Sequence, residues 1–215
     1  MADEKIKILI ADDHAIVREG LKQIVAEETD MKVTGEAANA NELFELLASE
    51  DWEIVVLDIN MPGKSGLEAL KEMKTRNIKV PVLILSMFSE DQYGLRAIKA
   101  GAAGYLKKVS APTELVSAIR KIVGGGKYIG PTLAEKLAEN VDVNNKNALH
   151  QNLSDREYQI MCLISFGKSA EEIAEELAIS IHTVYSYRNR ILEKMHLKSN
   201  VELTQYAIQH KLIEI

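Results

Sequence analysis

Ile54-Val55-Val56-Leu57-Asp58-Ile59-Asn60-Met61-Pro62-Gly63 opens with four apolar residues, ends that run on a carboxylate, and leaves through a Pro-Gly pair. An apolar run without alternation fits a strand covered on both faces, as inside a parallel sheet. Working outward, similar short runs recur at Ile6–Ala11, Lys32–Ala37, Val80–Leu85 and Gly104–Lys107. Helical spacing lies between them: Val17, Leu21, Ile24 and Val25 fall at i, i+4, i+7 and i+8. Asn39-x-x-Glu42 and Ser89-x-x-Gln92 have capping-box spacing, and Pro112 suits a first helical turn. Five strands alternating with helices predict an α/β domain with a doubly wound five-stranded parallel sheet.

The pattern changes after Gly124-Gly125-Gly126. These glycines follow a helix instead of preceding one, so they end it and do not cradle phosphate. A short helix is predicted over Pro131–Glu139. Beyond it, Asn140, Asn144, Asn145, Asn147 and Asn152 punctuate a stretch with little periodicity, read as interdomain linker. From Leu153 onward no strand is evident, and four helices fit at 154–166, 170–178, 181–195 and 200–210. Ser154-x-x-Glu157 and Ser169-x-x-Glu172 cap two of them. The predicted organisation is an α/β domain over residues 1–125, a linker with a short helix over 126–149, and an all-α domain over 150–215.

Length agrees, since 215 residues suit two modest domains. The single cysteine, Cys162, has no intramolecular partner and sits in an apolar helical stretch, so a buried thiol in a reducing compartment is expected. Ile6–Ala11 is too short for a signal peptide or a membrane span, and no run reaches about 18 apolar residues. A soluble, intracellular, cytoplasmic chain without a membrane partner is expected. The net charge of −6 does not advertise nucleic-acid binding, so that function must rest on local charge.

Ligands of a doubly wound sheet sit beyond the carboxyl ends of its strands. There the sequence places Asp12 and Asp13 after the first strand, Asp58 after the third, Ser86 after the fourth and Lys108 after the fifth. Three close carboxylates repel one another unless a cation compensates. All-oxygen ligands favour a hard ion such as Mg²⁺, and no His/Cys cluster suggests zinc. Beside such an ion a carboxylate can act as nucleophile toward a phosphoryl donor, with Lys108 neutralising phosphoryl charge.

The set Asp12-Asp13, Val55 to Gly63, Ser86, and Gly104-Tyr105-Leu106-Lys107-Lys108 resembles the receiver domain of bacterial two-component response regulators, over roughly residues 5–125. The resemblance implies that Asp58 is the phosphoacceptor. It implies that Asp13, Asp58 and the Asn60 backbone carbonyl ligate Mg²⁺, with Asp12 acting partly through water. Ser86 would be the hydroxyl that moves to the phosphoryl group, Tyr105 the aromatic that reorients with it, and Lys108 the phosphate-binding lysine. Val109 departs from the family, because many receivers carry proline there, often after a cis peptide.

In the predicted helix 181–195, Val184, Tyr187, Ile191 and Met195 share one face and should point inward. Tyr185, Ser186 and Asn189 point away, flanked by Arg188 and Arg190. Residues 185–198 hold four cations (Arg188, Arg190, Lys194, Lys198) against Glu193, a basic stripe on an otherwise acidic module. An outward Asn189 can bond adenine bidentately in a major groove. Leu153-Ser154-x-Arg156-Glu157, Gly167, Glu172-Ile173-Ala174-x-x-Leu177, Ile179-Ser180-x-x-Thr183-Val184 and Lys194-Met195 resemble the LuxR-type helix-turn-helix, which closes the NarL/FixJ response regulators. The resemblance implies a scaffold helix at 170–178 and a recognition helix at 181–195. Thr183, Tyr185, Ser186, Arg188, Asn189, Arg190, Lys194 and Lys198 would then face DNA, while Glu193 faces away from it.

Together these resemblances imply a non-enzyme with at most self-phosphorylation and self-dephosphorylation activity. A sensor histidine kinase or a small acyl phosphate would phosphorylate Asp58. The chain would then dimerise on double-stranded promoter DNA. Leu203, Tyr206 and Ile208 of the last helix either form the homodimer surface or close the domain's own core. Two rivals make less of the residues. A haloacid-dehalogenase-like phosphohydrolase wants Asp-x-Asp, whereas Ile59-Asn60 follow Asp58. A binding module indifferent to phosphorylation would not need the full acidic set.

Overall fold

A computed structural model of the protein describes residues 5–139 and 148–213. The chain divides into two compact units, Met1–Leu133 and Ala134–Ile215.

The first unit runs β1 (Ile6–Ala11), α1 (Ala15–Ala26), β2 (Met31–Ala37), α2 (Ala40–Ser49), β3 (Ile54–Asp58), α3 (Gly66–Thr75) and β4 (Val82–Ser86). A π-helical turn, Glu90–Gly94, then leads into α4 (Leu95–Ala100), followed by β5 (Gly104–Lys107) and α5 (Ala111–Val123). All five strands are parallel, in the order β2-β1-β3-β4-β5. Right-handed crossovers dictate the layers. The chain steps one way from β1 to β2 and the other way from β2 onward, so α1 and α5 share one face and α2 to α4 the other. Ile8, Ile10, Ile54, Val56, Leu83, Leu85 and Leu106 pack beneath α1 and α5. Val55, Leu57, Ile84 and Tyr105 alternate with them and are equally buried on the opposite face. Each aliphatic side chain so buried contributes about 1.5–3 kcal/mol, which fixes the strand register.

β4 starts two residues later than the sequence suggested. Pro81 has no N–H to give a ladder, and only its carbonyl serves, accepting from the Val55 amide at 3.0 Å. At its other end β4 gains Ser86, which pairs with Lys107.

The first unit also reaches eight residues past the boundary expected at 125. Tyr128 forms a parallel bridge to Gly104 on β5, and Leu133 is fully buried. α6 (Pro131–Glu139) begins on this unit. Of the expected linker, residues 140–147, including Asn140, Asn144, Asn145 and Asn147, lie outside the described residues.

The second unit holds α7 (Asp155–Ser165), α8 (Ala170–Glu176), α9 (Ile181–Lys194) and α10 (Asn200–Gln209), preceded by a single 3₁₀ turn at Leu149–Asn152. α7 packs on α8, α9 and α10, and α8 packs on α9. Ile160, Met161, Cys162, Ile173, Leu177, Val184, Ile191, Met195, Leu203 and Ala207 are among its most deeply buried apolar residues on the four helices and the turns between them. Cys162 is a buried free thiol. Serine caps set the helix starts. Ser154 accepts from the Glu157 amide at 3.3 Å and Ser169 from the Glu172 amide at 3.2 Å, each answered by the glutamate carboxylate. Among the described residues no helix is long and apolar enough to cross a membrane.

Candidate functional site

β3 delivers Asp58 to the carboxyl edge of the sheet, and the turn after it holds it there. Gly63 takes a left-handed φ of 72°, which the Pro-Gly pair permits. The Gly66 amide donates to the Ile59 carbonyl at 2.8 Å, while Ser65 and Glu68 cap α3 reciprocally. A side chain at Gly66 would collide with the Asp58 carbonyl. Asp58 therefore sits in a turn packed too closely to wander.

Asp58 is 3% exposed, and Asp12, at the start of the β1–α1 loop, is 1% exposed. Lys108 lies between them, its Nζ 2.8 Å from Asp58 Oδ2 and 2.6 Å from Asp12 Oδ2. Burial drives the Asp58 carboxyl up to about 7; the Lys108 ammonium opposes that rise and Asp12 adds to it. Burial alone would lower Lys108, but the two carboxylates outweigh it and hold its pKa above the usual value. The Asn60 amide also donates to the Asp58 carboxylate, and Asn60 itself is half-buried two residues on.

Asp13 completes the acidic group. His14, which the sequence reading passed over, lies 2.7 Å from Asp13 Oδ1 and donates its backbone amide to Asp12 Oδ1 at 2.9 Å. Arg18, also passed over, donates to the Asp12 backbone carbonyl at 2.6 Å and ties that loop to α1. Adjacency to the Asp pair was the available signal for His14. Arg18 had none, because its partners are a main-chain oxygen and Glu36, a residue far away in sequence. Ligand atoms of Asp12, Asp13, His14 and Asp58 all lie within 4.8 Å of one another. Three carboxylates against one ammonium leave two negative charges, which a divalent hard cation balances. The donor set fits such an ion.

Ser86 and Tyr105 stand one step back. Ser86 is buried, and its Oγ accepts from the Phe88 amide at 3.2 Å. The Tyr105 hydroxyl donates to the Phe88 carbonyl at 2.9 Å, with its ring fully buried. Phe88 thus joins the two residues that sequence named separately. Lys108–Ser110 form a 3₁₀ turn, and no cis peptide occurs among the described residues, so Val109 follows a trans bond.

On the second unit, Ser180 caps α9 by accepting from the Thr183 amide at 3.0 Å. The turn from α8 is closed by Ala178 at φ +50°, a left-handed position without a glycine. Val184, Ile191 and Met195 are buried as the spacing predicts, but Tyr187 is only half-buried, with the Arg190 guanidinium 5.8 Å from its ring centre. Tyr185, Ser186, Asn189, Arg190 and Lys198 are exposed along one outward surface. Thr183 is half-buried at the first turn. Two of the expected cations are already engaged: Arg188 donates to Asn200 Oδ1 at 2.6 Å, and Lys194 lies 2.7 Å from the buried Glu157 carboxylate. The free part of the basic stripe is therefore narrower than its sequence.

Residues 8–120 match the response regulator receiver domain, and residues 151–207 match the luxR family of bacterial regulatory proteins. The chain is 36% identical over 208 residues to the response regulator UvrY of Escherichia coli (strain K12), covering 96% of this chain and 95% of that one. The chain belongs to the NarL/FixJ family of response regulators. This response regulator is also 35% identical over 216 residues to the oxygen regulatory protein NreC of Staphylococcus carnosus (strain TM300), covering 97% of this chain and all of that one. A solved LuxR-family two-component response regulator from Aurantimonas sp. SI85-9A1 superposes with a TM-score of 0.59 at 36% identity, covering 64% of this chain and 99% of the other. The response regulator accordingly couples a receiver to a LuxR-type DNA-binding domain and acts in transcription regulation.

Proposed function

We propose that Asp58 is the phosphoacceptor and that its phosphorylation controls dimerisation and sequence-specific binding to promoter DNA. One observation carries this reading: a carboxylate buried at the end of β3, with Lys108 bridging it to Asp12. In transfer, an Asp58 oxygen attacks phosphorus, the bond from phosphorus to the donor breaks, and the leaving group takes a proton. Lys108 then follows its charge partner onto the phosphoryl oxygens. Asp13, Asp58 and the Asn60 carbonyl would hold Mg²⁺, with Asp12 partly through water; the ion supplies neutralisation of phosphoryl charge. The chain's own chemistry is limited to gaining and losing this phosphoryl group.

A sensor histidine kinase is the proposed donor. Ile16, Met87 and Val109 are 84%, 66% and 73% exposed, and each closely follows a residue of the acidic site along the chain. Large apolar side chains left in water around a polar site suit a protein partner better than solvent. For output, α9 enters the major groove with Tyr185, Ser186, Asn189 and Arg190 foremost, while Thr183, Arg188, Lys194 and Lys198 support the helix or meet phosphates. Both roles weighed for α10 find residues: Leu203 and Ala207 are interior, whereas Val201 and Ile208, seven residues apart on the opposite face, are exposed. We assign that outer face to the homodimer on a two-fold site. Function in the cytoplasm, a receiver domain reaching into the 126–149 segment and a DNA-binding domain over 150–215 complete the reading.

Radiolabelled acetyl phosphate with Mg²⁺ tests it. Label should enter the wild-type chain and not Asp58→Asn. Equal labelling of both would reject the assignment.

A further inference from the structure

The segment that leaves α5 is held on three sides. Its Tyr128 amide donates to the Ala103 carbonyl and its Tyr128 carbonyl accepts from the Tyr105 amide, both at 3.0 Å, so the segment adds a one-residue sixth strand beside β5. The Tyr128 hydroxyl donates to the Glu114 carboxylate on α5. Two residues on, the Gly130 amide donates to Glu90 Oε1 at 3.3 Å, on the π-helical turn. Leu133 then buries its side chain against Gly94, the last residue of that turn.

Three glycines make this seam possible. A Cβ on Gly94 would come within 2.7 Å of Leu133 Cδ2, and one on Gly104 within 2.8 Å of the Tyr128 carbonyl oxygen. A Cβ on Gly130 would overlap the Glu90 carboxylate. None of these collisions concerns the phosphate site or backbone strain. They mark a close approach between residues 128–133 and the elements beneath.

Those elements are also the ones Ser86 and Tyr105 reach. The Ser86 hydroxyl holds the Phe88 amide, the Tyr105 hydroxyl holds the Phe88 carbonyl, and the Phe88 ring stacks on Tyr93 of the π turn at 4.9 Å between centroids. Tyr105 therefore bonds Phe88 with its side chain and Tyr128 with its backbone. A π turn carries one residue more than an α-helical turn and can be absorbed by a one-residue slip. Such a slip turns Gly94 away and offers Leu133 a neighbour with a side chain, which the seam cannot accept.

We infer that residues 126–133 are an output strap, docked on β5 and the π turn, whose anchorage changes when Ser86 is drawn to a phosphoryl group on Asp58, passing the signal into α6. The strap rests on the phosphoacceptor reading above. The Ser86 Oγ accepts from the Phe88 amide and keeps its O–H to donate to a phosphoryl oxygen, so a Ser86 drawn toward that oxygen pulls on Phe88, the contact shared by Tyr105 and the turn.

Hydrogen exchange of the full chain, read by mass spectrometry with and without acetyl phosphate and Mg²⁺, tests this, with phosphoryl loading measured by intact mass on the same samples. Loading should change exchange at the Tyr128 and Gly130 amides by roughly ten-fold or more, and Asp58→Asn should show no change. Gly94→Ala should load normally, because it leaves the acidic site alone, yet exchange fast at residues 126–133 before any donor is added. Gly130→Ala, made in the strap itself, should do the same and replaces Gly94→Ala if that variant does not fold. Wild-type chain that loads while its strap exchange stays put overturns the strap and leaves the phosphoacceptor standing. Wild-type exchange in both glycine variants also overturns it. Wild-type chain that takes no phosphoryl group removes the phosphoacceptor reading and the strap with it.

Discussion

The acidic edge of the sheet and the outer surface of α9 both collect charge, but they do so in opposite ways. At the edge, Asp58, Asp12 and Lys108 are buried against one another, so the protonation of Asp58 and of Lys108 depends on their neighbours. On α9 most charges stand in water; Lys194 is neutralised locally by Glu157, and Arg188 keeps its charge while donating to Asn200. Burial makes the first region a device in which one added charge must be answered by movement. Exposure makes the second a surface whose charges act by addition, one phosphate at a time.

Four changes set the two regions against each other. The largest effect is expected from Lys108→Met in metal-free buffer. It strands two buried carboxylates and should cost about 3–5 kcal/mol of stability at pH 8, by urea denaturation. At pH 5 the loss should shrink, since Asp58 then takes up a proton.

The second change is pH itself. Asp58 in the fold titrates at about 7 against an ordinary 3.8, so the folded chain holds this proton more tightly than the unfolded one. Its contribution to stability must fall as pH rises between those values and level off above. Denaturation midpoints measured in chelator from pH 4 to 8 should show this decline in wild type and lose that component in Asp58→Asn. Adding Mg²⁺ should flatten it as well, by favouring the carboxylate. A wild type and variant with identical pH profiles would mean that the edge is not coupled as described.

The third change probes addition on α9. Asn189→Ala should cost about 1–3 kcal/mol on a selected site and little on unrelated DNA. Arg190→Ala should weaken binding to all sequences and lower the salt slope by about 1. Lys194→Ala should instead fall mainly on stability, because Glu157 would lose its cationic partner. If Lys194→Ala and Arg190→Ala weaken DNA binding equally, the distinction between engaged and free cations on this helix is wrong. The smallest effect is expected from Ala178→Gly. At φ +50° it should stabilise the second unit by about 1 kcal/mol, read as a rise in Tm.

The two regions also differ in how far sequence reveals them. The site was legible because strand ends are legible: apolar runs stop at Asp12, Asp58 and Lys107, sheet topology brings those stops to one edge, and the resemblance to receivers singled out Lys108 beside Lys107. His14 and Arg18 escaped because they act on a neighbour's carboxylate and carbonyl, with no pattern of their own. On α9 the periodicity gave Val184, Ile191 and Met195 their inward places. It could not give the pairings of Arg188 and Lys194, whose partners lie on other helices. The segment at Tyr128 was hidden for a related reason. A single bridged residue has no alternation, and the close approach is marked by scattered glycines: Gly94 on the π turn, Gly104 on β5 and Gly130 in the segment itself.

The proposed switch makes charge at Asp58 govern what α9 binds. Its most direct test is the affinity of wild type and Asp58→Asn for a duplex selected from a random pool by phosphorylated protein, with and without acetyl phosphate and Mg²⁺. Acetyl phosphate should tighten wild-type binding and leave the variant unchanged. Equal tightening of both would contradict the account.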